Sequence, residues 1–157
     1  MIVGVVSDTH NNIKNIKKII DLFNETQVEL VIHTGDITKA ETLRIFSELN
    51  APLVGVYGNN DRIEEGLEEV CVKYNFNFQE PPLAINLKDK KIVVFHEPDL
   101  IKDYIKIHKD IDLILYGHTH RYKEEKIDKT VYFNPGESAG PMEGKSALGI
   151  VNLNSLQ

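Results

Sequence analysis

Seven side chains able to offer a lone pair to a metal ion recur along this chain in one local setting. They are Asp8 and His10, Asp36, Asn59, His96, and His118 and His120. Each follows a short apolar run, and several stand beside a glycine (Gly35, Gly58, Gly117), the residue that permits a sharp turn and a close backbone approach. Carboxylate oxygen, amide oxygen and imidazole nitrogen are all ordinary ligands for divalent cations. Taken alone, Asp8-Thr9-His10 is a common loop triplet, an N-cap carboxylate followed by a surface imidazole. Repetition at five strand ends changes that reading. A mononuclear site usually takes three or four protein ligands, so seven suits two ions that share a carboxylate. Two ions about 3.5–4 Å apart fit in-line displacement at phosphorus. Of the six histidines, four stand on these loops. His33, within a strand, and His108, on a helix, read as structural or surface residues.

Such side chains must be carried to one place by regular elements. Ile2–Val6 is a β-branched apolar run of the kind buried on both faces of a sheet. Asn11 or Asn12 can cap the helix that follows, where Ile13, Ile16, Ile19, Ile20 and Phe23 recur at helical spacing. Leu30–His33 reads as a second strand, about Lys39 to Leu49 as a second helix closed by Pro52, and Leu53–Tyr57 as a third strand. This β-α-β-α-β order predicts a parallel sheet with right-handed crossovers. Further on, Ile63–Val70 reads as a short acidic helix. Leu83–Leu87 and Lys91–Phe95 read as a hairpin about Lys88-Asp89-Lys90, and Leu100–His108 as a helix. Leu113–Tyr116, Tyr122–Ile127, Val131–Asn134 and Ala147–Leu153 read as strands. With no repeat, low-complexity stretch or linker, residues 1–157 are expected to form one α/β domain, two sheets face to face with helices outside. In an open sheet of this kind, ligands bind beyond the carboxyl ends of the strands.

Composition narrows the function. A length of 157 residues, 41% hydrophobic and 27% charged, suits one soluble domain. The net charge of −6 opposes a broad nucleic-acid surface but not a small anionic substrate, since a bound cation inverts the local field. The single cysteine, Cys71, lies between Val70 and Val72 and reads as a packed thiol in a reducing compartment. The apolar run at the start is too short for a signal peptide, and nothing approaches a membrane span, so a cytoplasmic location is expected.

The ordered set Asp8-x-His10, Gly35-Asp36, Gly58-Asn59-x-Asp61, His96 and Gly117-His118-x-His120 resembles the signature of the calcineurin-like metallophosphoesterases. In size the chain resembles the small single-domain prokaryotic phosphodiesterase branch. The resemblance implies a four-layer α/β/β/α sandwich with two mixed sheets and the site at the strand C-terminal edge. It implies one ion on Asp8, His10, Asp36 and His120, and a second on Asp36, Asn59, His96 and His118. The catalytic stretch is then Asn59, Asn60 and Asp61, and Asn134-Pro135-Gly136-Glu137-Ser138, which otherwise reads as a simple turn, would brace the Gly117–His120 loop. The mixed nitrogen and oxygen set favours manganese, with iron, nickel, cobalt or zinc as alternatives, over magnesium.

The expected activity is metal-dependent hydrolysis of a small phosphate ester, a diester by preference, through attack of a metal-bridging hydroxide. Two positions depart from the wider family. The usual histidine after the metal-binding asparagine is Asn60, which has no proton to give a leaving group, so slow turnover or a good leaving group is expected. Asn60 can still hydrogen-bond a phosphate oxygen, and Asp61 can orient Asn59 or Asn60. His96 is followed by Glu97 where glycine is usual; Glu97 reads as an added ligand, a repeller of phosphate or a solvent-facing loop carboxylate. Arg62 reads as exposed and paired with Glu64 or Glu65. Alternatives are a non-catalytic binding scaffold, like the retromer subunit that resembles this family, and a phosphomonoesterase or nuclease of the same family. No stable nucleic-acid or membrane partner is expected, and the oligomeric state is not legible.

Overall fold

The computed structural model describes residues 1–140 and 147–156. Its first sheet holds β1 (Ile2–Val6), β2 (Leu30–His33), β3 (Leu53–Val56), β4 (Asn77–Gln79) and β10 (Gly149–Asn152). The order across it is β10-β1-β2-β3-β4, with β1 to β4 parallel and β10 antiparallel to β1. The second holds β5 (Leu83–Leu87), β6 (Lys90–Val94), β7 (Leu113–Leu115), β8 (Lys123–Ile127) and β9 (Thr130–Asn134). Its order is β5-β6-β7-β9-β8, with β6, β7 and β9 parallel and the outer two strands antiparallel to their neighbours.

Three apolar clusters separate four layers. In the middle, Val3, Val5, Ile32 and Val56 of the first sheet meet Ile92, Val94, Leu115 and Phe133 of the second. The strand period of two turns Val6, Val31 and Leu53 the other way. There they pack on α1 (Ile13–Glu25), α2 (Ala40–Ile45) and α3 (Leu67–Tyr74) through Ile16, Ile20, Phe23, Leu43 and Leu67. On the far face, Val93, Phe95 and Ile114 are covered by Ile101, Tyr104 and Ile105 of α4 (Ile101–Ile107). This is the expected α/β/β/α sandwich with two mixed sheets. Among the described residues no helix is long and apolar enough to cross a membrane.

Local chemistry explains most element boundaries. Asn12 caps α1 by accepting the Asn15 N–H at 3.1 Å. The β5–β6 hairpin turns on two residues, Lys88 and Asp89, both left-handed at φ 49° and 62°, so β6 opens at Lys90 rather than Lys91. The second helix is shorter than expected, since the chain tightens into a 3-10 turn at Phe46–Glu48. The acidic helix expected at Ile63–Val70 begins instead at Leu67. Glu64 is extended and Gly66, left-handed at φ 85°, turns the chain so that Leu67 and Cys71 face the core. Strand β4 has no expected counterpart; it is short, with Phe78 as its one apolar residue.

Candidate metal centre

The carboxyl ends of β1, β2, β3, β6, β7 and β9 open onto one edge, and all seven anticipated ligands lie in the loops there. The backbone in those loops is unusual. Asp8, His10, Asp36, His118 and His120 are left-handed, with φ of 49°, 43°, 60°, 65° and 57°, and Thr38 follows at 82°. For residues with a Cβ each such position costs on the order of 1 kcal/mol and persists only when the surroundings hold it. Here the Asp8 N–H donates to Gly35 O, the His10 N–H to Asp36 O and the Ala139 N–H to Asp8 O, each at 3.0 Å. Two glycines are required by proximity: a Cβ on Gly58 would collide with the Asp36 carboxylate, and one on Gly117 with the Ser7 hydroxyl.

Asp8, Asp36 and His96 are almost wholly buried, at 0%, 2% and 0% exposure. Asp8 Oδ2 accepts from the Ser7 hydroxyl and from the His118 N–H. Its other oxygen, Oδ1, is buried and accepts no hydrogen bond, with His120 Nε2 standing 3.2 Å away. The opposite nitrogen of His120 lies 3.4 Å from Glu137 Oε2. A proton on that nitrogen, drawn by the carboxylate, leaves Nε2 with a lone pair facing Asp8. Asp36 accepts twice from Asn60, Oδ1 from the backbone N–H at 3.0 Å and Oδ2 from the side-chain amide at 2.7 Å.

The imidazole of His96 defines the other half. Its Nδ1 lies 2.8 Å from Thr34 O, a carbonyl that can only accept, so the neutral ring carries its proton on Nδ1 and a lone pair on Nε2. That lone pair faces Asn59 Oδ1 at 3.0 Å, His118 Nδ1 at 3.3 Å and Asp36 Oδ1 at 3.5 Å; Asn59 Oδ1 is also 3.2 Å from His118 Nδ1. Among these four atoms His118 Nδ1 alone can bring a proton. Ligand atoms bound tetrahedrally at about 2.1 Å stand about 3.4 Å apart, close to the spacings here. Asp8, His10 and His120 bring donor atoms within 4.8 Å of one another, and so do Asp8, Asp36 and His96. Asp8 is common to these two groups, and Asp36, the expected shared carboxylate, stands in the second of them. The orphaned oxygen and the converging lone pairs fit cations.

The neighbours divide into those that face the cleft and those that hold it. Asp61, expected to act in the catalytic stretch by orienting Asn59 or Asn60, does neither. It is buried, and it accepts the backbone N–H groups of Asp36 at 2.8 Å, Thr38 at 2.7 Å and Gly58 at 2.8 Å. Burial pushes its carboxyl pKa up, opposed by the amides of Gly58 and Thr38. Glu97 lies 3.8 Å from Arg62 Nη1, and Arg62 Nε is 3.2 Å from Glu80, so Arg62 pairs with these two rather than with Glu64 or Glu65. Asn134 braces the β7 loop by donating to Gly117 O and to the Thr119 hydroxyl, both at 3.0 Å. His33 is buried at the end of β2, and desolvation, followed by the neighbouring His96 and His10, lowers its pKa to about 3. His108 is exposed and stacks on Tyr104 at 4.0 Å. Glu137 lies in the stretch expected to brace the Gly117–His120 loop, and its pairing is with His120 itself. It follows Pro135-Gly136 at the exit of β9, the same strand-end setting that marked the other ligand loops.

Residues 1–155 match the calcineurin-like phosphoesterase superfamily domain. The chain belongs to the calcineurin-like phosphoesterase superfamily. A phosphodiesterase of Methanocaldococcus jannaschii is 32% identical over 157 residues, covering 97% of this chain and 93% of the relative. The solved structure of an archaeal phosphodiesterase superposes with a TM-score of 0.89 at 32% identity, covering 100% of this chain and 96% of its own. A phosphoesterase from E. coli shares the fold at a TM-score of 0.73 and 19% identity, covering 98% and 89%. In this calcineurin-like chain both positions expected to depart from the family pattern have partners. Asn60 is engaged by Asp36, and Glu97 by Arg62.

Proposed function

We propose that this protein is a metal-dependent phosphodiesterase acting on a small phosphodiester. One cation would rest on Asp8, His10, Asp36 and His120, and a second on Asp36, Asn59, His96 and His118. The observation that carries the reading is the convergence of His96 Nε2 and Asn59 Oδ1 at 3.0 Å, two acceptor atoms, beside an unpartnered Asp8 Oδ1. When bound, such cations polarise a phosphoryl oxygen and lower the pKa of water enough to supply a nucleophile near neutral pH. The chain's own residues do the positioning. Thr34 O fixes the tautomer of His96, Glu137 favours that of His120, and Asn60 turns the Asp36 carboxylate inward. Asn59 contributes a neutral oxygen, leaving its cation more electrophilic than a carboxylate would.

Asn60 supplies no proton to the departing alcohol, since a carboxamide N–H is not an acid near neutral pH, and one of its hydrogens is donated to Asp36. The rate should therefore depend steeply on leaving-group acidity, because general acid help is worth about 10²–10⁴-fold. The mixed nitrogen and oxygen ligands favour manganese among the candidate metals. The test is hydrolysis of aryl diester and aryl monoester by the metal-free protein reloaded with manganese, nickel, cobalt, iron or zinc. Diester turnover that needs added metal is the expected result. A monoester preference would move the assignment to a phosphomonoesterase, and no turnover with any metal would leave a binding scaffold.

A further inference from the structure

His33 ends β2 and is fully buried, with the rings of Phe46 and Phe78 at centroid distances of 5.7 and 6.2 Å. Its neighbours at those rings are apolar, yet both its nitrogens are used. Nδ1 accepts the N–H of Gly35 at 3.0 Å and therefore carries no proton. The proton of the neutral ring is on Nε2, which donates to the Thr9 hydroxyl at 3.0 Å. Each partner lies inside a ligand loop: Thr9 stands between Asp8 and His10, and Gly35 directly precedes Asp36. The peptide groups flanking Gly35 are thus held on both sides, its N–H by His33 and its carbonyl by the Asp8 N–H at 3.0 Å, at the left-handed φ of 106°. Since Asp36 follows at once, its backbone is placed by the same pair of bonds, and its carboxylate is then held by Asn60. A pKa of about 3, with desolvation its leading cause, keeps the imidazole neutral at ordinary pH.

Resting on the two-cation reading above, we infer that His33 is a positioning residue of the metal centre. It fastens the Asp8–His10 loop to the Asp36 loop through one fixed tautomer, and so sets the separation of the two carboxylates without touching cation or substrate. The fastener depends on a donor toward Thr9 and an acceptor toward Gly35, which an apolar residue of similar shape cannot supply.

Thr9→Val, Thr9→Ser and His33→Asn test this in the whole protein. Thr9→Val keeps shape and removes the hydroxyl, whereas Thr9→Ser keeps it. His33→Asn can still accept from the N–H two residues on, as asparagine does in an Asx turn, but does not reach Thr9. Manganese uptake by the metal-free protein is followed by calorimetry, the exchange-coupled dinuclear signal by electron paramagnetic resonance, and the fold by thermal unfolding without metal. Thr9→Val and His33→Asn are expected to weaken uptake of at least one ion about 10–100-fold and to diminish the coupled signal, with Thr9→Ser near wild type. Wild-type affinity and coupling in Thr9→Val would overturn the inference. So would a lowered unfolding midpoint with unchanged manganese affinity, which would make the contact merely structural. A wild-type protein that takes up no manganese would overturn the two-cation reading and this inference with it; binding by wild type that the variants do not alter sinks the inference alone.

Discussion

Asp8, Asp36 and His96 form a buried wall of the site, whereas Asn59, His118 and His120 stand toward solvent on the opposite rim. On the wall each residue has a polar atom held by backbone or by a neighbouring side chain: Asp8 by the His118 N–H, Asp36 by Asn60, His96 by Thr34 O. On the rim His118 Nδ1 meets Asn59 Oδ1 and His96 Nε2, and the nitrogens of His120 meet Asp8 and Glu137. The wall thus fixes where charge sits before any ligand arrives, at a cost in desolvated carboxylate, and the rim supplies side chains that can adjust to what lands. Substitutions on the wall should disturb both fold and chemistry, and those on the rim mainly chemistry.

The largest expected effect comes from the carboxylates. Asp36→Asn removes a charge and sets a second amide against Asn60. Turnover of an aryl diester with saturating manganese should fall at least about 10³-fold, the several kcal/mol expected of metal-assisted charge stabilisation. The metal-free protein should unfold at a lower temperature, because an amide nitrogen now faces an Asn60 N–H that the carboxylate accepted. Added manganese should raise the midpoint of the wild type, by linkage, and leave that of Asp36→Asn nearly still. A variant that keeps both turnover and metal-induced stabilisation would remove Asp36 from the centre.

Next is Asp61, which belongs to the wall although it touches neither substrate nor proposed ligand side chain. Asp61→Ala strands three N–H groups, on buried Asp36 and Gly58 and on half-buried Thr38. The expected loss is about 3 kcal/mol, read as a fall of about 10 °C in the thermal midpoint. A fall of one or two degrees would show that water replaces the carboxylate and that the wall is softer than its burial suggests.

Much of this wall was visible in the order of residues. The apolar runs of β1, β2 and β3 end at Val6, His33 and Val56, each within three residues of a ligand, because parallel strands must deliver their carboxyl ends to one edge. What could not be seen is any relation without period or proximity. Asp61 reads as a catalytic neighbour of Asn59, yet its partners Asp36 and Thr38 are more than twenty positions away. Likewise His33 is one more polar residue at the end of a buried strand until its two hydrogen bonds are located. Strand β4 was missed because three residues with only Phe78 apolar carry no alternation. The strain is equally silent: five left-handed ligands bear no glycine of their own, and only Gly35, Gly58 and Gly117 beside them hint at crowding.

A third effect is acid sensitivity of the wall. His33 has a folded pKa of about 3 against an ordinary 6.5. Between those values the unfolded chain binds a proton that the folded chain does not. Stability contributed by neutral His33 is therefore present above about pH 6.5 and is lost as pH falls toward about 3, with a limiting slope of about 1.4 kcal/mol per pH unit. His33→Asn cannot titrate, so its unfolding midpoint, measured without metal, should depend less on pH across that window. Parallel pH profiles for variant and wild type would show that the fastened ring is not the proton acceptor.

The smallest effect should fall on the rim, at Glu137. Its carboxylate is 3.4 Å from His120 Nδ1 and holds the ring so that Nε2 points to Asp8, but His120 is 41% exposed and water can take over part of that task. Glu137→Gln keeps an oxygen that can accept from Nδ1–H and removes the charge; Glu137→Ala removes both. If orientation is what matters, Gln should stay close to wild type in manganese affinity while Ala weakens it about tenfold, at the low end for residues behind a metal ligand. If the charge matters, both should weaken alike, and raising salt should narrow the difference from wild type, since an exposed pair is screened. Neither variant should change the metal-free unfolding free energy by more than about 0.5 kcal/mol, the usual range for a surface substitution. A larger loss of stability would mean that the rim is built as rigidly as the wall, and the division between the two sides would fail at its most exposed member.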